Sequence, residues 1–319
     1  MRRHDLWRLE YGQDPYLEVL DTPHLMERFI EVMGNGIFLT DELKIGMISI
    51  ASGGGYWMAS STHLFAEFGK RGGIPGGMNR DAIPKFDWPG MRSAIRPFAD
   101  SKAAHPGVIV KYGKSEDLRE LYDSGRLVIR PASSYNDASL NRAVRDDELE
   151  LKVYRKSWVF DKLYDEFGQV LHPNGPKHGR RVEILRTPTN YFVYCMSLER
   201  SVRLFGDFQS DCCIIIHEPV AFLRRLGAAG LRTLGNRWSW FAAPIAYIDP
   251  LRPPNSHLNI MQCKDFKYAY QAEYRMVWLP PKPSFSLEPF VADLGSLAPI
   301  ASFVQLEASS AQAGAADLG

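Results

Sequence analysis

The chain has 319 residues, 45% hydrophobic and 24% charged, a composition that suits a globular protein with a substantial core and excludes disorder as its main state. Its 38 basic and 37 acidic side chains nearly cancel, so no global field draws the molecule to nucleic acid or membrane, and any polyanion must be met by a local patch. Four cysteines, Cys195, Cys212, Cys213 and Cys263, show neither C-x-x-C spacing nor a secreted disulfide framework, and read as reduced, mostly buried thiols.

The first residues, Met1-Arg-Arg-His-Asp5, are charged and no apolar signal region follows. No run approaches the ~18 apolar residues of a membrane span, so the expected location is cytoplasmic. Leu20 to Met33 reads as a helix started by Asp21-Thr-Pro23, with Leu25, Phe29, Ile30 and Met33 on one face. An apolar segment, Leu43 to Ile50, precedes Gly53-Gly-Gly-Tyr56. Gly72-Gly-Ile-Pro-Gly-Gly77, Pro84, Pro89 and Pro97 then punctuate the chain too densely for long regular elements. Residues 1–104 are therefore expected to form a helical and loop-rich region, an irregular layer whose glycines lack the flanking strand and Gly-Lys-Ser/Thr of a phosphate loop.

From residue 105 to 306 the texture is that of an α+β domain, with central mixed or antiparallel sheets. Val108 to Tyr112 is a short strand; Ser115-Glu116-Asp117 caps a helix with Leu118, Leu121 and Tyr122 as its buried stripe; Gly125 stops it. Arg126 to Arg130 is the next strand, and Pro131 to Asp137 a loop rich in backbone-binding groups. Further strands are expected at Glu148 to Tyr154, Val182 to Arg186, Tyr191 to Ser197, Cys212 to His217, Phe241 to Ile248, Tyr274 to Leu279 and Ala301 to Leu306, with a helix from Pro219 to Leu226. His172 to Arg181 reads as a basic, turn-rich loop, and residues 307–319 as a mobile tail.

Polar groups cluster at strand ends: Lys111-Tyr112, Tyr135-Asn136-Asp137, Cys195-Met-Ser197, and Gln271-Ala-Glu273. Gln271 and Glu273, two apart at the mouth of a strand, share a face by its period of two. An ordinary strand-edge glutamate paired to Arg275 is the plain alternative. His217 and His105 read as capping or packing groups, and Cys212-Cys213 as thiols disarmed by burial.

The order of these pieces resembles the bacterial domain-of-unknown-function family 2971, whose pattern is a K-Y strand, an N-D loop, a strand ending in serine and a late E-x-E-[FY]-R strand. The likeness runs over roughly residues 107–280, with Gln271 in place of the first glutamate and Phe205-Gly-Asp-Phe208 where a tryptophan-rich stretch is usual. It is also similar to divergent ADP-ribosyltransferases, which implies sheets that form a cleft. The resemblance implies NAD as co-substrate, with Lys111 or Tyr112 holding it, Arg130 a substitute for the family's early arginine or histidine, Tyr135 and Asn136 from the loop, Ser197 supporting the nicotinamide-side ribose, Glu273 contacting the ribose 2′-hydroxyl and Gln271 orienting the acceptor.

Such a protein suits a toxin or phage-defence effector restrained by a partner protein, with nucleic acid or protein as acceptor. Lys177-His-Gly-Arg-Arg181, Arg224-Arg225, Arg232, Arg237, Trp238 and Trp240 mix cations and aromatics as single-strand binders do. Three alternatives stay open: a non-catalytic nucleic-acid or protein binding module, an NAD glycohydrolase, and a hydrolase using Asp137 or Asp146-Asp147 with a divalent metal.

Overall fold

A computed structural model describes residues 1–40, 43–77, 86, 88–105, 107–160 and 176–307. The tail beyond residue 307 and residues 172–175 of the expected basic loop lie outside them. Among the described residues no helix is long and apolar enough to cross a membrane.

The amino-terminal layer is more regular than the sequence reading expected. It holds helices α1 (Arg3–Gln13), α2 (Thr22–Gly36), α3 (Gly55–Lys70) and α4 (Ile95–Ala104), and a small hairpin of β1 (Ile37–Leu39) and β2 (Ile45–Met47). Asp21 caps α2 as expected, accepting from the His24 N–H at 3.0 Å. The α3 helix was hidden by the glycines around it. Ala59, Ser60, His63, Leu64, Glu67 and Phe68 are buried at helical spacing, so the glycines flank a regular element and do not break it.

The remaining elements build an antiparallel framework. After β3 (Ile109–Gly113), α5 (Ser115–Ser124) and β4 (Arg126–Pro131) come the long hairpin strands β5 (Glu150–Phe160) and β6 (Pro176–Arg186), then β7 (Phe192–Ser197), α6 (Arg203–Asp207), β8 (Cys212–Ile216) and α7 (Pro219–Leu234). The chain ends with β9 (Ser239–Pro244), β10 (Ala246–Ile248), β11 (Cys263–Asp265), β12 (Glu273–Leu279), β13 (Phe290–Asp293) and β14 (Ala301–Gln305). Eight strands join in one sheet ordered β13-β4-β7-β3-β8-β14, with β12 on β7 and β9 on β12. One core, around Ile109, Leu121, Ile214, Phe222 and Trp278, lies under α5 and α7; a second, around Phe98, Tyr112, Phe205 and Ile215, lies on the other side of β3 and β8.

Several expectations need correction. The segment from Phe241 to Ile248 is not one strand, because the chain leaves the sheet at Pro244 and β10 pairs in parallel with β11 instead. The carboxyl half of the basic loop is strand: Arg180 and Arg181 pair with Lys156 and Arg155. The Arg180 guanidinium is buried against Asp14 at 2.7 Å and is no solvated cation. Ser115 does not cap α5; its N–H and hydroxyl both donate to the Asp211 carboxylate, at 2.7 and 3.1 Å. Asp211 thus fills the place an anionic ligand would take at that helix start. Trp238 and Trp240 pack on the first core, so the aromatics of the expected nucleic-acid stretch serve the interior.

Candidate functional site

The site arises from a split in the sheet. β12 occupies one edge of β7 from Phe192 to Ser197. The opposite edge is shared: β4 pairs only with Phe192 and Val193, and β3 only with Ser197. Between them Tyr194, Cys195 and Met196 have no strand partner on that edge among the described residues. Lys111 reaches across the gap, donating from Nζ to the Cys195 carbonyl at 2.8 Å, with its ammonium 4.5 Å from the centre of the Tyr194 ring.

A cleft of two compartments fills this gap. The inner one, about 410 Å³, is lined by residues from β3, the end of β7, the 135–148 segment and the start of β12. The outer one, about 710 Å³, lies between β3, α5 and β4 and shares Lys111, Tyr112 and Tyr135 with it. Each compartment carries a buried hydroxyl with no hydrogen-bond partner among the described residues: Ser210 Oγ inside, Tyr194 Oη outside. An unpaired buried hydroxyl costs free energy, on the order of 1–3 kcal/mol, unless something in the cleft answers it.

The floor is an ion cluster. Glu273, Glu148, Lys264 and Arg275 are 4%, 5%, 5% and 1% exposed, so their charges are answered by protein groups and chiefly by one another. Arg275 donates from Nε to Glu273 at 2.8 Å, and its two terminal nitrogens hold Glu148 at 2.7 and 3.0 Å. Lys264 Nζ lies 3.0 Å from Glu273 and 3.8 Å from both Glu148 and Asp146. Burial opposes ionisation of Glu273, yet the Arg275 and Lys264 charges prevail and hold its carboxyl well below the usual carboxylate range. At Glu148 burial prevails over the same two cations and pushes the carboxyl up to about 7. Burial alone lowers Lys111, which has no carboxylate within ion-pair distance among the described residues. Cys195 is pushed far up by burial and is no nucleophile.

Six of the eight residues expected at the site line the inner compartment: Lys111, Tyr112, Tyr135, Ser197, Gln271 and Glu273. Arg130 lines the outer one. Asn136 lies outside both, exposed, its amide donating to Asp147 at 2.9 Å. Two of the six have hydroxyls already committed. Ser197 Oγ donates to the Gln271 carbonyl at 2.8 Å and accepts from the Glu199 N–H at 3.0 Å. Tyr112 Oη donates to the Glu199 carbonyl at 3.0 Å and accepts from the Ser201 N–H at 2.9 Å. Both shape the wall more than they offer groups to a ligand.

Gln271 and Glu273 do converge, but not through strand alternation. Gln271 ends a 3-10 turn (Phe266–Gln271), and Ala272 between them is left-handed at φ 44°, a conformation that costs a non-glycine residue roughly 1–2 kcal/mol. That reversal lets Lys264 reach both, at 3.4 Å from Gln271 Oε1 and 3.0 Å from Glu273 Oε2.

Lys264 and Glu148 are the members that the sequence reading missed. Lys264 sits on a three-residue strand with no periodicity to mark it. Glu148 is expected only as the first residue of a strand; Asp146 and Asp147 before it are partly exposed while Glu148 is buried. Comparison with family models, with curated proteins and with solved structures yields no match to this chain.

Proposed function

We propose that this protein transfers, or releases to water, the ADP-ribosyl group of NAD. The observation that carries the reading is Glu273: a buried carboxylate held by Arg275 and Lys264 in the inner compartment, which it shares with Lys111, a lysine without a carboxylate partner among the described residues. Cleavage between ribose and nicotinamide passes through an oxocarbenium-like state, and the cationic leaving group needs no protonation. A fixed negative charge near the ribose therefore stabilises the transition state more than the ground state. Lys111, with Arg130 further out, suits the diphosphate, and the unpaired hydroxyls of Tyr194 and Ser210 suit polar groups of the ligand.

The test is incubation of wild type and Glu273→Gln with labelled NAD and cell extract, reading nicotinamide release and label in RNA, DNA and protein. Glu273→Gln is expected to lose about a hundredfold or more in rate, as removal of one preorganised group worth ~3–4 kcal/mol implies. Glu273→Asp is expected to fail too, since withdrawal by one methylene breaks the alignment. Label in one fraction names the acceptor; free ADP-ribose alone means a glycohydrolase. Both Glu273 oxygens are engaged by cations, which favours a second reading, a ligand-binding module in which the cluster fastens β11 to β12. That reading expects no NAD turnover by wild type.

A further inference from the structure

Glu148 has no part in the chemistry above, yet it lines the inner compartment with Glu273. One guanidinium fixes the pair: Arg275 holds Glu273 through Nε and Glu148 through its two terminal nitrogens. Lys264 bridges the same two carboxylates from another side. Both cations lie within hydrogen-bond reach of Glu273, at 2.8 and 3.0 Å, whereas Lys264 stands back from Glu148 at 3.8 Å, and two carboxylates held so unequally are suited to different tasks.

Resting on the reading of the cleft as an NAD site, we infer that Glu148 is the proton acceptor for the incoming nucleophile, and that this nucleophile is a neutral hydroxyl or amine, water included. The nucleophile's oxygen or nitrogen bonds to C1′ of the ribose. The bond from C1′ to the nicotinamide nitrogen breaks, its electron pair cancelling the positive charge of the ring. The proton that the nucleophile sheds passes to the Glu148 carboxylate.

Glu273 cannot serve this step well, because the cations that keep it ionised also make it a weak base. Glu148 faces Arg275 and Glu273 on β12, Lys264 on β11, Asp146 in its own segment, Tyr135 in the loop after β4, and Tyr191 and Cys195 at β7. Burial outweighs the two cations, with Asp146 and Glu273 adding to it, so this carboxylate takes up a proton more readily than an ordinary one.

The experiment measures NAD turnover by wild type and Glu148→Gln, with and without sodium azide, an anionic nucleophile that sheds no proton. NAD binding and the melting temperature are read alongside. We expect Glu148→Gln to bind NAD and to lose about 10²–10⁴-fold in turnover, the usual contribution of a general base. Azide should restore turnover of Glu148→Gln and form ADP-ribosyl azide, while Glu273→Gln should not be rescued. Turnover of Glu148→Gln close to wild type, or a folded variant that is slow and not rescued, overturns the assignment. Should the variant not fold, the wild-type pH profile decides: turnover climbing with pH through about 7 supports the assignment, and a flat profile from roughly pH 5.5 to 8.5 overturns it. Wild type inert toward NAD removes the underlying reading, and this inference with it, whereas an active wild type with an unaffected Glu148→Gln removes this inference alone.

Discussion

Arg275 donates to two carboxylates at once, and a lysine could not repeat that fork. Replacing it with methionine leaves Glu148 and Glu273 buried with only Lys264 between them. Arg275→Met is expected to destabilise the fold by ~3–5 kcal/mol, the usual penalty for removing one partner of a buried pair. Urea denaturation measures it, and a loss below ~1 kcal/mol would mean that water already reaches the cluster. At this scale the sequence was half legible. Glu273 with Gln271 stood out because a carboxylate and an amide preceded a run of bulky strand residues, and the pairing of Glu273 with Arg275 was foreseen as a plain alternative. Its burial was not, since charge pairs two residues apart are commonest at surfaces. Lys264 gave no signal, because its role depends on β10 and β11 pairing in parallel across a long intervening loop.

Elements were legible where local pattern agreed with tertiary use, and misread where glycine serves packing. The α7 helix, expected from Pro219 to Leu226, runs on to Leu234 through Gly227 and Gly230, each of which weakens a helix by about 1 kcal/mol. In the fold these two glycines are notches: a Cβ on Gly227 would lie 2.4 Å from the Trp240 ring, and one on Gly230 would lie 2.2 Å from Trp278 Nε1. The two indoles are cross-strand partners on β9 and β12, so α7 sits directly on the strand that carries Glu273. Gly230→Ala should therefore destabilise the protein by ~1–3 kcal/mol despite alanine's higher helix propensity, through overpacking against a fully buried ring. Thermal unfolding tests this. Stabilisation would show instead that Trp278 shifts freely and that the helix does not set the position of β12.

Across the whole molecule, the amino-terminal helices are bound to the sheet domain by polar groups as well as by packing. Arg28 on α2 meets Asp249 at 2.7 Å, Tyr56 on α3 donates to the same carboxylate at 2.9 Å, and Asn35 accepts from the Tyr270 N–H at 2.8 Å. Asn35 thereby fixes the 3-10 turn that presents Gln271, so this layer supports the candidate site and is more than an appended region. These partners lie 193 to 235 residues apart, which is why the sequence showed two textures and no link between them. The same junction holds an acid under strain. Burial, with Asp265 adding to it, raises Glu31 from its ordinary 4.5 to about 7 against the pull of Lys267, Arg28 and Arg142. A raised carboxyl holds its proton longer in the folded than in the unfolded chain, so stability falls as pH rises from 4.5 to about 7 and stays reduced above. Glu31→Gln removes that titration. The variant should be more stable than wild type at pH 8, by up to ~3 kcal/mol for a shift of this size, and the gain should vanish near pH 4.5. Melting temperatures at the two pH values decide: an equal gain at both would trace to side-chain packing, and no gain at pH 8 would mean that Arg142 and Lys267 already neutralise the charge across the junction.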